Sequence, residues 1–230
     1  MPSWCGPSPT AVLMADADQP SPEVVGARLG ALRERFGDVE IVAVTKGFGP
    51  WAIESAVAAG CDAIGENYAQ EVLAKRDVIE RLRPEVHFIG QLQTNKVRQI
   101  AGLIDVWETV DRPSLVDELA KRVPGARILV QVDTTEQPGK GGCAPAEVPG
   151  LVSAARGAGL VPVGLMAVGP TGAPPEAARP GFHVVRALAD SLGLETCSMG
   201  MSADASVAVE EGATQIRVGT ALFGPRPPRV

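Results

Sequence analysis

The sequence predicts a single (β/α)8 barrel of the TIM type. Eight short apolar segments alternate with helical patterns along the 230 residues, and parallel βα units are built in this way. Polar or glycine-rich residues also follow the predicted strands, at the end of a barrel where active sites lie. A doubly wound open sheet fits less well, because no GxGxxG motif follows the first strand.

The elements follow from local patterns in chain order. The segment SPEVVGARLGALRERFG predicts a helix that begins after a serine cap and ends at Gly37. Short apolar runs then predict strands at Ile41–Thr45, Asp62–Gly65, Val86–Gly90, Val106–Val110, Arg127–Val132, Val161–Val168, Glu195–Met199 and Gln215–Gly219. Helical spacing between them predicts helices at Trp51–Ala59, Asn67–Leu82, Thr94–Ala101, Pro113–Arg122, Val148–Gly157, Glu176–Leu192 and Ala203–Glu211.

Composition restricts the class of partner. Hydrophobic residues make up 45% of the chain and charged residues 21%, which is typical of a globular protein. The net charge of −6 argues against nucleic acid or an anionic membrane as the main partner, since both attract clustered Lys and Arg. No uninterrupted apolar run is long enough to span a bilayer.

The first twenty residues differ from the rest. They are rich in Pro, Ser and Ala and lack a basic segment followed by an apolar one, so they do not indicate a signal peptide. We interpret residues 1–20 as a disordered tail or an over-extended start with Met14 as initiator, and residues 21–230 as one domain. The four cysteines are widely spaced without a CxxC motif. This favours reduced thiols, a cytoplasmic location and no bound metal.

Two turns late in the chain are candidates for phosphate binding. SMGMSADAS, residues 198–206, and RVGTALFG, residues 217–224, each place Gly and Ser or Thr between a predicted strand and a helix. Such turns also form for purely structural reasons. Because both occupy the position after the last two barrel strands, where phosphate sites commonly lie, we favour phosphate binding.

The segment IVAVTKGFGP places Lys46 at the end of an apolar strand. A lysine that forms a Schiff base must present a neutral amine, so its pKa must fall from about 10.4 through desolvation or neighbouring charge. The apolar strand provides desolvation, whereas Lys75, Lys96, Lys121 and Lys140 lie in predicted helices or polar loops and are expected to be solvated. A strand-end lysine combined with a phosphate site suggests pyridoxal 5′-phosphate (PLP).

Other polar residues have structural explanations. His87 opens an apolar strand and is interpreted as a core or rim histidine. Glu66 is interpreted as the start of the following helix or as the acceptor of a backbone N–H. His183 is predicted to be exposed.

The motifs VTK, GENYAQE, HFIGQLQTNK, GLMAV, SMGMSADAS and RVGTALFG, between Ile41 and Gly224, resemble the YggS/PROSC family of pyridoxal-phosphate-binding homeostasis proteins. The resemblance implies a barrel similar to the N-terminal domain of alanine racemase, with PLP on Lys46. It further implies a ring contact for Asn67, proximity of Met166 to the ring, and an arginine, Arg217, facing the pyridine nitrogen. The implied phosphate residues are Ser198, Met199, Gly219 and Thr220. The Pro-rich segment 171–180 and the loop around Lys140 depart from the family pattern.

The resemblance leaves activity open. An arginine at the pyridine nitrogen disfavours ring protonation and weakens the cofactor as an electron sink. Racemisation needs an acid or base on each face of the substrate carbon, and Tyr68 is the only tyrosine in the chain. The favoured function is a non-catalytic, monomeric PLP carrier that supplies PLP-dependent apoenzymes. The alternatives are an amino-acid racemase or other weak PLP enzyme, and a barrel that binds another phosphorylated ligand through an aldolase-like Schiff base.

Overall fold

The computed structural model describes residues 19–135 and 137–226. Eight parallel strands form a closed barrel in sequence order, with the last strand hydrogen-bonded to the first. The strands are β1 (Glu40–Val44), β2 (Ala63–Glu66), β3 (Val86–Phe88), β4 (Val106–Val110), β5 (Arg127–Val132), β6 (Val161–Ala167), β7 (Thr196–Met201) and β8 (Gln215–Val218). The predicted (β/α)8 fold is confirmed, and each predicted strand overlaps an observed one.

Helices surround the barrel. They are α1 (Pro22–Phe36), α2 (Trp51–Ala59), α3 (Ala69–Ala74), α4 (Arg76–Leu82), α5 (Thr94–Ile100), α6 (Pro113–Arg122), α7 (Val148–Gly157), α8 (Arg179–Ser191), α9 (Ala205–Glu210) and α10 (Thr220–Phe223). Short 3-10 turns occupy Ala101–Leu103, Pro145–Glu147 and Pro175–Ala178. In α1, Ser21 is the N-cap and Gly37 the C-cap, as the sequence predicts.

Two predicted boundaries were wrong in ways that affect the site. The helix expected over Asn67–Leu82 is divided into α3 and α4, which meet at Lys75. Strand β7 continues to Met201, two residues beyond its predicted end. The turn after β7 therefore begins later in the sequence than expected.

The main hydrophobic core lies between the strands and the helices. Its members include Ile41, Trp107 and Phe182, each almost fully buried. Side chains alternate along each strand, so every second residue points into the barrel. A second, smaller apolar cluster consists of Val106, Leu129 and Met166. Several polar side chains on the strands are also buried, among them Glu108, Ser198 and Arg217.

No helix in the described part of the chain is both long and apolar enough to cross a membrane. The predicted tail, including Met14, lies almost entirely outside the described residues. Cys61, Cys143 and Cys197 are free thiols, and Cys5 is not among the residues described.

Candidate functional site

A pocket of about 280 Å³ opens at the carboxyl ends of the strands, and we call it the strand-end pocket. This is the end of the barrel at which βα loops build active sites. The pocket is lined by Val44, Lys46, Asn67, Ile89, Met166, Val168, Met201, Ser202, Arg217, Gly219, Thr220 and Arg226. Six of the eight residues that the resemblance implied therefore lie together: Lys46, Asn67, Met166, Arg217, Gly219 and Thr220.

Lys46 follows β1 and is half-buried, with its backbone turning sharply at Gly47. Gly47 has φ +74°, a conformation that a residue with a Cβ rarely adopts. The chain thus leaves the direction of β1 directly after Lys46. The side chain is placed at the pocket wall beside Val44, the last residue of the strand.

The other lysines are placed differently. The expectation that Lys75 is solvated was wrong, because it is 4% exposed and its Nζ lies 2.6 Å from Oε1 of Glu66. The break between α3 and α4 turns this side chain inward, so that the helix junction buries it. Lys121 is exposed, and Lys140 Nζ donates to the carbonyl of Gly169. Among the described residues, Lys46 is the one lysine that lines the strand-end pocket.

Asn67 reaches the pocket because the loop after β2 passes very close to Gly90. A Cβ on Gly90 would lie 2.0 Å from the carbonyl oxygen of Asn67, so only glycine fits there. The side-chain oxygen Oδ1 of Asn67 is buried and has no hydrogen-bond partner within the described residues. A buried unsatisfied acceptor of this kind points to a donor supplied by a ligand or by water.

Arg217 lies on β8 and is 3% exposed. Its NH1 donates to the carbonyl and to Oγ of Ser198 at 2.7 and 2.6 Å, and its NH2 donates to the carbonyl of Ala167 at 2.7 Å. These bonds fix the guanidinium plane at the pocket wall. They use three of the five N–H groups of the side chain, which leaves donors for a ligand.

A buried hydrogen-bond network supports Arg217 from inside the barrel. Glu108 is completely buried and accepts bonds from Ser198 Oγ at 2.6 Å, Gln215 Nε2 at 2.6 Å and His87 Nδ1 at 2.5 Å. Its carboxylate also lies 3.9 Å from Arg217 NH1. Burial acts to raise the pKa of Glu108, but the bonds from His87 and the nearby Arg217 outweigh it and lower the pKa. Glu108 is therefore ionised and balances two buried cations.

His87 is the second cation of this network. Burial acts to lower its pKa, but hydrogen bonds to Glu108 and Glu85 outweigh burial and raise the pKa to about 9. The expectation of a core histidine is confirmed, since its Nε2 also lies 3.1 Å from Glu85 and the ring is almost fully buried. His183, by contrast, is exposed as predicted.

We expect the free energy of unfolding to fall as the pH rises from 6.5 to above 9. The pKa of His87 is higher in the folded chain, about 9, than its ordinary value of 6.5. Its stabilising contribution is therefore fully present below pH 6.5 and is lost as the pH rises through 9. The loss is on the order of 3 kcal/mol. Urea unfolding at a series of pH values measures it, and His87→Gln should flatten the profile over this interval. An equally steep decline in His87→Gln would contradict the assignment.

The remaining wall of the pocket is a polar turn formed by the ends of β7 and β8. Ser202 follows β7, Gly219 and Thr220 follow β8, and Arg226 crosses above them. A Cβ on Gly219 would lie 3.5 Å from NH2 of Arg226 and 3.2 Å from the carbonyl oxygen of Val44. The guanidinium of Arg226 is thus held beside the turn, where it favours an anion.

Ser198 and Met199 do not line the strand-end pocket. Ser198 is buried in the Glu108 network, and Met199 is fully buried in the core between strands and helices. Both were assigned to phosphate binding through the resemblance of SMGMSADAS to the family motif. The observed strand shifts register between Ser198 and Met201, so Met201 and Ser202 take the turn positions instead.

A larger pocket, about 650 Å³, adjoins the strand-end pocket and shares Asn67 with it. We call it the neighbouring pocket. Its walls come from the residues that follow β2, β3, β4 and β5, whereas the polar turn of the strand-end pocket follows β7 and β8. It contains Tyr68, Lys96 and Arg112. Arg112 is held by Asp111 and by the carbonyl of Leu92.

Comparisons with known proteins agree with this architecture. The family model described as alanine racemase, N-terminal domain, matches residues 24–227. A pyridoxal phosphate homeostasis protein of Pseudomonas aeruginosa is 38% identical over 195 residues, covering 82% of this chain and 85% of the relative. The protein with the same description from Aquifex aeolicus is 38% identical over 198 residues, covering 81% and 87%.

A solved structure gives the same result at the level of the fold. PipY of Synechococcus elongatus with PLP bound superposes with a TM-score of 0.75 at 33% identity, covering 87% of this chain and all of PipY. The PipY structure without PLP gives a TM-score of 0.79 at 34% identity over the same shares.

Proposed function

The chain belongs to the alanine racemase N-terminal domain family, within its pyridoxal phosphate homeostasis proteins, and from this premise we propose that it holds PLP as a Schiff base on Lys46. We further propose that it stores and hands over PLP without catalysing a reaction of its own. PLP binding is the property that its relatives' descriptions and the PLP-bound PipY structure support.

The residues of the strand-end pocket fit PLP group by group. The amine of Lys46 matches the aldehyde, N–H groups of Arg217 match the pyridine nitrogen, and the unsatisfied Oδ1 of Asn67 matches a hydroxyl donor on the ring. Met166 offers an apolar contact for the ring face. The residues for the phosphate are Ser202, Gly219, Thr220 and Arg226; of these, Gly219 and Thr220 belong to the set that the resemblance implied.

The single observation that supports a non-catalytic role is the set of side chains that line the strand-end pocket. Within residues 19–135 and 137–226, no carboxylate, histidine, tyrosine or cysteine lines the strand-end pocket. Bound PLP supplies an electron-accepting ring, and Arg217 weakens that property because a permanently charged donor at the ring nitrogen opposes its protonation. Racemisation needs a second proton-transfer group at the ring, and Tyr68 lines the neighbouring pocket rather than the strand-end pocket, which supports the non-catalytic role.

We also propose that residues 21–230 form one domain, that the protein is a cytoplasmic monomer and that PLP-dependent apoenzymes receive its cofactor. The cytoplasmic location is supported by three free cysteines in the described part of the chain. The role as a donor is supported by the open neighbouring pocket, through which an acceptor amine can approach Asn67.

The test is reduction of the PLP-loaded protein with borohydride, followed by peptide mass mapping. We expect a pyridoxyl adduct on the peptide that contains Lys46. Pyridoxine 5′-phosphate, which has an alcohol in place of the aldehyde, is the matched control and should leave no adduct. An adduct spread over Lys75, Lys96, Lys121 and Lys140 would overturn the proposal. Measurable interconversion of L- and D-alanine by the loaded protein would instead establish the racemase alternative.

A further inference from the structure

The two peptide groups on either side of Lys46 are each held by a side chain from another element. Lys75 Nζ donates to the carbonyl of Thr45 at 2.9 Å, which is the peptide group before Lys46. The N–H of Gly47, in the peptide group after it, donates to Oε2 of Glu71 at 2.7 Å. Because peptide groups are planar, fixing these two planes fixes the φ and ψ angles of Lys46.

Glu71 and Lys75 are themselves fixed. Lys75 Nζ lies 2.6 Å from Oε1 of Glu66 and 3.4 Å from Oε2 of Glu71. Thr45 Oγ1 donates to the same Oε1 of Glu66 at 2.6 Å. Lys75 is 4% exposed and Glu66 is fully buried, and hydrogen bonds between charged groups are strengthened where water is excluded.

This group approaches Lys46 from both sides along the chain. Lys75 is the junction residue between α3 and α4, and Glu71 lies one turn earlier in α3. Together they contact the backbone one residue before Lys46, at Thr45, and one residue after it, at Gly47. A salt bridge that only joined a helix to the barrel would not need to hold both of these peptide groups.

We propose that Glu71 and Lys75 are positioning residues that hold the backbone of Lys46 so that its amine faces the aldehyde of the cofactor. This inference rests on the proposed function. In the step concerned, the neutral amine nitrogen attacks the aldehyde carbon and a C=N bond forms. The aldehyde oxygen leaves as water with the two amine protons. Neither Glu71 nor Lys75 contacts the reacting atoms; each acts through the backbone of Lys46.

The experiment compares bond formation with binding in the same variants. The rate of Schiff-base formation is followed by absorbance after apoprotein is mixed with PLP, and the Kd of pyridoxine 5′-phosphate is measured separately. We expect Glu71→Ala and Lys75→Met to slow Schiff-base formation by about tenfold or more, because misplacement of a reacting group by 1 Å costs rates of this order. The Kd of pyridoxine 5′-phosphate should change less than about twofold, since neither Glu71 nor Lys75 lines the strand-end pocket.

Two further variants separate positioning from stability. Glu71→Gln should retain a rate within about threefold of wild type, because its carboxamide oxygen still accepts the Gly47 N–H. Arg76→Met, next to Lys75 but on the exposed surface in a loose 3.8 Å pair with Glu80, should have no effect. Should Lys75→Met fail to fold, the Glu71 variants decide the question, since the Glu71 side chain is 30% exposed.

The outcomes distinguish this inference from the function on which it rests. Wild-type rates in Glu71→Ala, or parallel losses in rate and in pyridoxine 5′-phosphate binding, would overturn the positioning role alone. A wild-type protein that forms no Schiff base would overturn the proposed function together with it.

Discussion

Replacing Lys46 with alanine is expected to abolish the Schiff-base absorbance and to weaken PLP binding by about 100-fold or more, equivalent to roughly 3 kcal/mol. Lys46 is the lysine that reaches the strand-end pocket. The variant keeps Arg217, Asn67 and the polar turn, so it should still bind PLP through ring and phosphate contacts. Binding is measured by equilibrium dialysis, with the absorbance recorded in the same samples.

A second ligand isolates the covalent contribution. Pyridoxine 5′-phosphate cannot form a Schiff base, so Lys46→Ala and wild type should bind it with nearly equal affinity. Lys46→Ala changes the binding free energy of each ligand by some amount. The change for PLP minus the change for pyridoxine 5′-phosphate gives the contribution of the Schiff base, as in a double-mutant cycle. Lys96→Ala, in the neighbouring pocket, is the matched control and should leave PLP binding unchanged. If Lys46→Ala bound PLP as tightly as wild type, the assignment of Lys46 would be wrong.

Replacing Glu108 with glutamine is expected to lower the free energy of unfolding by about 3 kcal/mol or more. The substitution preserves shape but removes the negative charge that lies between His87 and Arg217, and it leaves the buried guanidinium of Arg217 without its nearby carboxylate. One carboxamide group also cannot accept from every donor that Glu108 satisfies. Urea unfolding with an unchanged m-value would show that stability, rather than the unfolded state, has changed.

Glu108→Gln also tests whether the buried hydrogen-bond network around Glu108 affects ligand binding in the strand-end pocket. Since Ser198 bonds both Glu108 and Arg217, the loss of the carboxylate should also disturb the guanidinium and weaken PLP binding. Glu80→Gln is the control, because Glu80 is 59% exposed and should change stability by less than about 0.5 kcal/mol. A Glu108→Gln protein within 1 kcal/mol of wild type would show that the network contributes little net stability.

The barrel could be predicted because its signals are local. Short apolar runs such as Ile41–Thr45 and Arg127–Val132 have a length and composition typical of buried parallel strands, and the order of elements permits few topologies. The position of Lys46 followed from the same pattern, since a lysine directly after such a strand must lie at the carboxyl end of the barrel. Asn67 and Arg217 were found through motifs rather than through physical pattern.

What could not be predicted depends on contacts between distant segments. The helical pattern around Lys75 gave no sign that the chain would break there and bury an ammonium against Glu66. The end of β7 depended on a register shift against β8, which moved the turn from Met199 to Ser202. Arg226 lies beyond the last helix, and no periodicity marks it as part of the site.

The two pockets share Asn67, and they place the opening of the neighbouring pocket and the proposed phosphate site on different parts of the barrel rim. The wall of the neighbouring pocket follows β2 to β5, and the polar turn with Arg226 follows β7 and β8 on the other part of the rim. In the proposed binding mode, we expect an amine that arrives through the neighbouring pocket to reach the aldehyde end of the cofactor without displacing Arg226 or Thr220. Under this proposal, exchange at Lys46 and departure of the phosphate from the polar turn are two separate events, and we expect the first to be complete before the second begins.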